Sequence, residues 1–354
     1  MRLRLFVFAA CVAFALVAPA AQAEQGAAPG AATPPGRSAT AGAATPSGRE
    51  APAGAATPPG KAAAGPITRA AERLPEGDTG IASRYPADAG IGKDPRVLLN
   101  EDFESGDFDK ARWSEVSNKA DALSFWDDVP AASAGKKSLL VTARLGENTG
   151  GHLFRRFKPG VEKMHARFYV KFAPDCDYVH HFVTIVAENP PTPWPTGGAG
   201  ELPAGDKKFS TGLEPFGNYQ RFPPPGAWNF YTYWWQMKKS GDGKYWGNSF
   251  TPTAPAVPER GRWYAMEMMV QANTVGKADG RQAFWIDGKL VGDFPGIEWR
   301  SAADLKVNAF WLMSYITDLW TKHKVNRVGF DDVVVATEYI GPVRSRDRPG
   351  RAPG

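Results

Sequence analysis

Side chains that can bind a sugar and move a proton are concentrated between Trp228 and Phe250, in WNFYTYWWQMKKSGDGKYWGNSF. Successive side chains of an extended chain point to opposite faces, so Tyr231 and Tyr233 share a face with Asn229 and Trp235. The rings of the two tyrosines and of the tryptophan each combine a flat apolar surface with a polar tip, which suits a sugar-binding cleft. The alternative is a central strand that is buried on both faces.

Imidazole, basic and amide groups near this stretch could take part in proton transfer. His180 and His181 are adjacent, so on a strand they point to opposite faces. A structural hydrogen-bonding pair is the competing interpretation. Arg221 is a further catalytic candidate, and Lys238, Glu267, Gln271 and Asn273 are candidates for contact with the substrate.

Trp311 and Tyr315 share a face of another predicted strand and could stack on sugar rings. Burial in the core is the alternative for both of them.

The elements that must position these groups are short strands. The segments between Ile81 and Tyr339 are rich in aromatic and β-branched residues and are separated by turn signals such as Asp287-Gly288. No long helical period occurs, so the sequence predicts an all-β antiparallel sandwich of the jelly-roll type. The predicted strands are Val97–Phe103, Ser138–Leu145, His152–Phe157, His165–Phe172, His181–Ala187, Trp228–Met237, Trp263–Asn273, Gln282–Ile286, Leu290–Phe294, Val307–Tyr315 and Arg327–Thr337.

The segment from Asn189 to Gly226 is rich in proline and glycine and does not fit the strand rhythm. Long loops inside a compact domain are usually functional. We therefore expect this segment to form one wall of a cleft over the aromatic strand.

The two ends of the chain predict export and no folded structure. A basic start, an apolar run and the ending Ala21-Gln22-Ala23 indicate a signal peptide over residues 1–23. Residues 24–80 repeat units such as GAATPPGR without aromatic residues, which is typical of a disordered linker. The domain is expected over residues 81–342, and residues 343–354 form a predicted disordered basic tail. The mature protein is expected in the periplasm, at the cell surface or outside the cell, with no transmembrane segment.

The net charge of +5 comes from the signal peptide and the basic tail, and the predicted domain sums to zero. A nucleic-acid-binding domain would carry the positive charge itself, so we expect no nucleic-acid partner. Cys11 leaves with the signal peptide, and Cys176 then has no partner for an intramolecular disulfide.

The opening LLNEDFESGDFDKARW and the ending NRVGFDDVVVATEYIGP resemble the terminal strands of concanavalin A-like lectin/glucanase jelly rolls. The middle of the chain is similar to polysaccharide lyases of family 14 and their relatives. The similarity lies in Tyr231-Thr232-Tyr233, in the Tyr245-Trp246-Gly247 turn and in the hairpin WYAMEMMVQANTVGKADGRQAFWIDG. The resemblance implies that Tyr231 and Tyr233 form an acid/base pair and that Tyr245 contacts the substrate. The family's catalytic lysine and Ser-x-Arg element are not evident in this sequence.

The carboxylate spacing separates two kinds of sugar chemistry. Glucanases of this fold carry Glu-x-Asp-x-Glu or Glu-x-Asp-x-x-Glu on one strand, because a retaining hydrolase needs two carboxylates about 5 Å apart. That spacing is absent here, and Glu267 has no second acid at i+2 or i+4. Cleavage of a uronate polymer by β-elimination needs a base, an acid and a group that neutralises the sugar carboxylate.

The acids on the two terminal strands indicate a possible structural Ca²⁺ site. Glu101 and Asp102 lie on the first predicted strand, and Asp331 and Asp332 lie on the last. The terminal strands pair in this fold, and Ca²⁺ prefers such oxygen ligands. Solvated edge charges that deter strand addition are the alternative.

The sequence thus favours an exported lyase of acidic, uronate-containing polysaccharide. The alternative is a non-catalytic, lectin-like carbohydrate-binding protein.

Overall fold

The computed structural model describes residues 73–193 and 198–345. The predicted signal peptide, the linker up to residue 72, residues 194–197 and the tail from residue 346 lie outside the described residues. Among the described residues, no helix is long and apolar enough to cross a membrane.

Fifteen β-strands and four short 3₁₀ turns make up the described chain. The 3₁₀ turns are Ile81–Arg84, Pro86–Asp88, Ile91–Lys93 and Lys119–Asp121. The strands are β1 (Val97–Glu101), β2 (Glu115–Ser117), β3 (Leu123–Trp126), β4 (Ser138–Arg144), β5 (Gly150–Val161), β6 (Lys163–Phe172), β7 (Val183–Glu188), β8 (Lys208–Phe216), β9 (Ala227–Tyr233), β10 (Asn248–Phe250), β11 (Trp263–Gln271), β12 (Gly280–Ile286), β13 (Lys289–Ile297), β14 (Val307–Tyr315) and β15 (Val325–Ala336).

The strands form two antiparallel sheets, which confirms the predicted all-β jelly-roll sandwich. The eight-stranded sheet has the order β13-β12-β11-β6-β15-β4-β3, and β1 also pairs with β15. The seven-stranded sheet has the order β10-β9-β8-β7-β14-β5-β2. As expected, the first and last strands are neighbours.

The hydrophobic core includes large aromatic residues from both sheets. Phe172 of the eight-stranded sheet stacks on Phe182, which precedes β7, and also contacts Trp228 of the seven-stranded sheet. Trp228 and Phe230 of β9 are fully buried in this core. They form the apolar face of the aromatic stretch, so Tyr231 and Tyr233 point the other way.

Every predicted strand overlaps an observed strand, but the predicted loop from Asn189 to Gly226 is wrong over its middle. There β8 lies between β7 and β9, in the interior of the seven-stranded sheet. The strands β2, β3 and β10 are also additional, and each has only three or four residues. Short strands are held by their neighbours rather than by their own periodicity.

The predicted Asp287-Gly288 hairpin is present between β12 and β13. Asp287 and Gly288 have φ values of 50° and 78°, and positive φ at both central residues is the geometry of a type I′ turn.

Contacts with the sandwich extend beyond both predicted domain boundaries. The Trp285 indole donates a hydrogen bond of 2.8 Å to the Pro75 carbonyl, and the Gly77 N–H donates to the Gly288 carbonyl at 2.7 Å. At the other end, Val343 is buried beside Tyr169. Cys176 is also buried, which raises the pKa of its thiol to about 12, so this cysteine is poorly suited to act as a nucleophile.

Candidate functional site

A cleft of about 550 Å³ lies on the face of the seven-stranded sheet that points away from the core. Its floor comes from β7, β8, β9 and β14, and residues 198–204 form one wall. The lining residues that could do chemistry are His181, Glu188, Glu201, Lys208, Ser210, Glu214, Tyr231, Tyr233 and Trp311.

Strand register sets the shape of the floor. Tyr231 lies opposite Gly212, Gly212 lies opposite Thr184, and Thr184 lies opposite Trp311. Gly212 has no side chain, so the floor is deepest between the rings of Tyr231 and Trp311. A Cβ atom at Gly212 would lie 3.0 Å from the Thr184 hydroxyl, so a larger residue there would fill the depression and require Thr184 to shift.

The two tyrosines on β9 bring their hydroxyl groups together. The oxygens of Tyr231 and Tyr233 are 3.4 Å apart, and the two rings meet edge to face. Burial raises the pKa of both phenols, while the Gly247 N–H acts in the opposite direction on both. Both hydroxyls therefore stay protonated at neutral pH and can donate a hydrogen bond or a proton.

His181 stands at the end of the cleft next to this tyrosine pair. Its ring centroid is 5.5 Å from that of Tyr231, and its ring is nearly parallel to that of Tyr315. Backbone hydrogen bonds from His180 N–H to the Tyr315 carbonyl and from Tyr315 N–H to the His181 carbonyl fix this arrangement.

Glu214 on β8 holds the His181 ring. Its Oε2 lies 3.3 Å from Nδ1 of His181. The Glu214 side chain is 8% exposed, whereas that of His181 is 35% exposed. Burial raises the pKa of Glu214, although His181 counteracts this. With Nδ1 directed at Glu214, the Nε2 atom of His181 is the ring nitrogen left for a ligand.

His180 packs behind His181, with their ring centroids 4.2 Å apart. The Nδ1 atom of His180 is buried and has no hydrogen-bond partner among the described residues. Burial, and then the neighbouring His181, lower the pKa of His180 to about 3. His180 is therefore a neutral packing ring rather than a proton carrier.

An ion pair lies near the other end of the cleft. Arg156 of β5 donates to Oε2 of Glu188 at 2.8 Å and to Oδ1 of Asn308 at 2.9 Å. Lys208 lies opposite Glu188 in the sheet. Burial lowers the pKa of the Lys208 ammonium group.

Of the predicted site residues, the cleft brings together Tyr231, Tyr233, His181 and Trp311, with His180 and Tyr315 next to them. The Asn229 side chain is buried and donates to the Glu214 carbonyl, so it links β9 to β8 and is not exposed to a ligand.

Four other candidates from the aromatic stretch and its neighbourhood are not part of the cleft lining. Tyr245 pairs through its backbone with Gly200 of the wall, and the Trp235 indole donates to the Glu298 carbonyl. Lys238 and Arg221 are exposed.

The candidates Glu267, Gln271 and Asn273 do not line this cleft, since β11 belongs to the eight-stranded sheet. Glu267 accepts hydrogen bonds from the backbone N–H groups of Ile340 and Gly341 and contacts His165. The Asn273 side chain donates to the Arg300 carbonyl and accepts from the Arg300 backbone N–H. The polar contacts of Glu267 and Asn273 are therefore with other parts of the protein, and Gln271 lines two pockets elsewhere.

The acids of the terminal strands form a separate cluster. Glu101 already accepts hydrogen bonds from the Phe103 N–H, Arg112 and Trp113, so its oxygens are engaged. In contrast, the Oδ2 atoms of Asp331 and Asp332 are buried without a hydrogen-bond partner among the described residues. Burial raises the pKa of both aspartates. A divalent cation would supply the partner that these two oxygens lack, although the described residues contain no group of three or more His, Cys, Asp or Glu side chains arranged to hold a metal ion.

Glu214, Lys208 and Ser210 are not among the predicted site residues, because the predicted loop covers this segment. A signal was present, since polar or small residues at 208, 210, 212 and 214 alternate with Phe209, Thr211 and Leu213. That alternation is typical of a half-buried strand.

No protein-family model matches the chain, and no curated protein matches it. Solved structures with the same architecture do exist. An alginate lyase from a Chlorella virus, vAL-1, has a TM-score of 0.51 and 14% identity over 69% of this chain and 100% of its own. A variant of the alginate lyase Aly36B in complex with an alginate tetrasaccharide has a TM-score of 0.50 and 12% identity over 69% of this chain and 98% of its own. This similarity confirms the predicted resemblance to jelly-roll lyases at the level of the fold.

Proposed function

We propose that the protein is a polysaccharide lyase that cleaves a uronate-containing polymer by β-elimination in this cleft. The observation that carries the proposal is the convergence of a carboxylate-held imidazole, His181 with Glu214, and a pair of protonated phenols, Tyr231 and Tyr233. A base and an acid on one floor are what β-elimination needs. The alginate lyases with the same fold support this reaction class.

His181 is the base in this proposal. Its Nε2 removes the proton on the carbon next to the sugar carboxyl group, and Glu214 stabilises the imidazolium ion that forms. Tyr231 is the acid, because its raised pKa keeps its proton available for the oxygen of the departing sugar. This assignment replaces the predicted tyrosine acid/base pair, in which one phenol would have to lose its proton first.

Trp311 gives the cleft an apolar surface for a sugar ring. It lies across the deep part of the floor from Tyr231, and Tyr315 adds a second ring beside His181. Aromatic faces of this kind bind the apolar faces of sugars.

A non-catalytic carbohydrate-binding protein is the second candidate. The ion pair between Arg156 and Glu188 favours this candidate, because the guanidinium group near the cleft is bound to a carboxylate of the same chain. A lyase that acts on free uronate needs a group that neutralises the substrate carboxylate, and a guanidinium group bound to Glu188 is less available for that role.

Two further proposals concern the surroundings of the domain. The predicted signal peptide supports export, to a place where the protein meets polysaccharide. The unpartnered oxygens of Asp331 and Asp332, together with nearby Asp102, support a structural Ca²⁺ that joins the terminal strands.

Purified protein incubated with alginate, glucuronan and other uronate polymers tests the proposal. The unsaturated product of β-elimination absorbs in the ultraviolet, so turnover is followed directly. The His181→Ala variant, expressed and purified in the same way, shows how much activity comes from contaminating lyases. We expect absorbance to rise with at least one polymer and only with the wild type. Binding without any turnover would establish the carbohydrate-binding alternative instead.

A further inference from the structure

The charge of the cleft is unusual for a site that would receive a free carboxylate. Among the described lining residues, the carboxylates are those of Glu188, Glu201 and Glu214, and the one ammonium group is that of Lys208. Arg156, which is not in the lining, pairs with Glu188. Residues 194–197 are Trp-Pro-Thr-Gly and add no charged side chain.

The cations at this face are associated with Glu188, at the end of the cleft opposite His181. Lys208 lies at the first position of β8 and Glu214 near its last, six residues along the same strand. In the sheet, Lys208 is the neighbour of Glu188, which also binds Arg156. His181 therefore has a carboxylate beside it, Glu214, whereas Lys208 is closest in register to Tyr233, two residues from its partner Ser210, and has Glu188 as its neighbour across the sheet.

β-Elimination makes the charge at the substrate carboxyl group important. Removal of the neighbouring proton places negative charge on the carboxyl oxygens, so a free carboxylate gains a second negative charge, which a cation or a donated proton must offset. An ester starts neutral, and its carbonyl oxygen needs only a hydrogen-bond donor. The hydroxyl groups of Tyr231 and Tyr233 are such donors, and they are uncharged.

We infer that the cleft takes uronyl residues whose carboxyl group is uncharged, as in an ester, in preference to free uronate. This inference rests on the proposed lyase function. Tyr233 donates to the ester carbonyl oxygen while His181 Nε2 removes the C5 proton. The C5–H electrons form the C4=C5 double bond, the C4–O bond breaks, and the Tyr231 proton goes to the leaving oxygen. The proton on His181 then returns to the Tyr231 phenolate through water.

Pairs of polymers with the same backbone test the preference. One member of each pair is an ester, such as methyl-esterified pectin or the propylene glycol ester of alginate, and the other is the same batch after mild saponification. We expect kcat/KM for the ester to exceed that for its saponified partner by about ten-fold or more. Equal or faster cleavage of the free acids would overturn the inference and leave the lyase proposal intact.

Binding decides the inference if no polymer is cleaved. In that case the lyase proposal fails, and affinity for the two members of each pair is measured by calorimetry. Tighter binding of the ester supports the charge selection, whereas tighter binding of the free acid, or binding of neither, overturns it.

Reversing a charge in the wall of the cleft tests the preference for the ester independently. Glu201 lines the cleft and is exposed. A lysine at this position would attract the negatively charged free-acid polymer. We therefore expect Glu201→Lys to lower the ratio of ester cleavage to free-acid cleavage by about three-fold or more. Glu147→Lys is the matched control, since Glu147 is 54% exposed and lies outside the cleft lining. An unchanged ratio in Glu201→Lys, or an equal change in the control, would count against selection by the cleft.

Discussion

The Nδ1 atom of His181 lies 3.3 Å from Oε2 of Glu214, so a partly exposed imidazole at the cleft contacts a buried carboxylate. The two residues are 33 positions apart and lie on neighbouring parts of one sheet. A carboxylate in this position fixes the orientation of the ring and stabilises its protonated form, which is the requirement for a general base.

His181→Ala is expected to lower kcat by about 10²–10⁴-fold, because positioned proton transfer contributes that much to rate. Initial rates on the best polymer measure the loss. The control is His323→Ala, since the His323 ring contacts the Asp175 carbonyl outside the cleft lining. If His181→Ala retains wild-type kcat, another residue is the base.

Replacement of the two phenols separates their roles. Tyr231→Phe removes the proton donor to the leaving oxygen, and we expect kcat to fall by about 10²–10⁴-fold. Tyr233→Phe removes one hydrogen-bond donor to the developing negative charge, with an expected loss of about 10²-fold. Tyr219→Phe, at an exposed loop position, should have no effect. A larger loss in Tyr233→Phe than in Tyr231→Phe would reverse the two assignments.

The buried His180 predicts how stability depends on pH. Its folded-state pKa of about 3 lies below the ordinary value of 6.5. Between these values the unfolded chain binds a proton at this residue and the folded chain does not, so stability falls as pH decreases from 6.5 towards 3. The contribution is at most ~1.4 kcal/mol per pH unit.

His180→Phe keeps an aromatic ring against His181 and removes the titration. We expect its Tm to decline less than that of the wild type between about pH 6.5 and 5, with parallel curves above pH 7, where His180 is neutral in both states. Thermal denaturation followed by circular dichroism measures both curves. Parallel curves over the whole range would show that His180 does not titrate with folding.

The strands were predictable because their signal is local. Val307–Tyr315 has the observed bounds, since aromatic and β-branched residues mark it at both ends. The face assignment of Tyr231 and Tyr233 also follows from period two alone. In contrast, β8 sits among prolines and glycines, which are locally unfavourable in strands, and its neighbours β7 and β9 hold it in the sheet.

The site was predictable only where it lies on correctly predicted strands. Glu214 was missed together with β8, although it is the partner of His181. Glu267 was expected to line the cleft, but β11 pairs with β6 and β12 in the other sheet. Which sheet a strand joins depends on pairing between distant segments, and no local pattern of residues contains that information.

Calcium is expected to stabilise the domain through Asp331 and Asp332. A ligand that binds only the folded state at about 100 times its dissociation constant adds ~2.7 kcal/mol, so Tm should rise by several degrees on addition of Ca²⁺ and fall with a chelator. Asp331→Asn should abolish the Ca²⁺-dependent rise, whereas Asp318→Asn, at an exposed turn, should retain it. A wild-type Tm that is indifferent to millimolar Ca²⁺ would contradict the site.

Gly247 offers a way to move Tyr231 without changing it. A Cβ atom at Gly247 would lie 2.6 Å from the Tyr231 ring, and Gly247 does not have the positive φ that would favour glycine by itself. We therefore expect Gly247→Ala to displace the Tyr231 ring and to lower kcat by about 10²-fold, since misplacement by about 1 Å can cost that much. Gly241→Ala is the matched control in the same hairpin, because a Cβ atom there meets nothing within 4 Å. Near-ultraviolet circular dichroism and Tm distinguish a local displacement from unfolding. Full activity in Gly247→Ala, with an unchanged Tm, would mean that the position of Tyr231 does not limit the reaction.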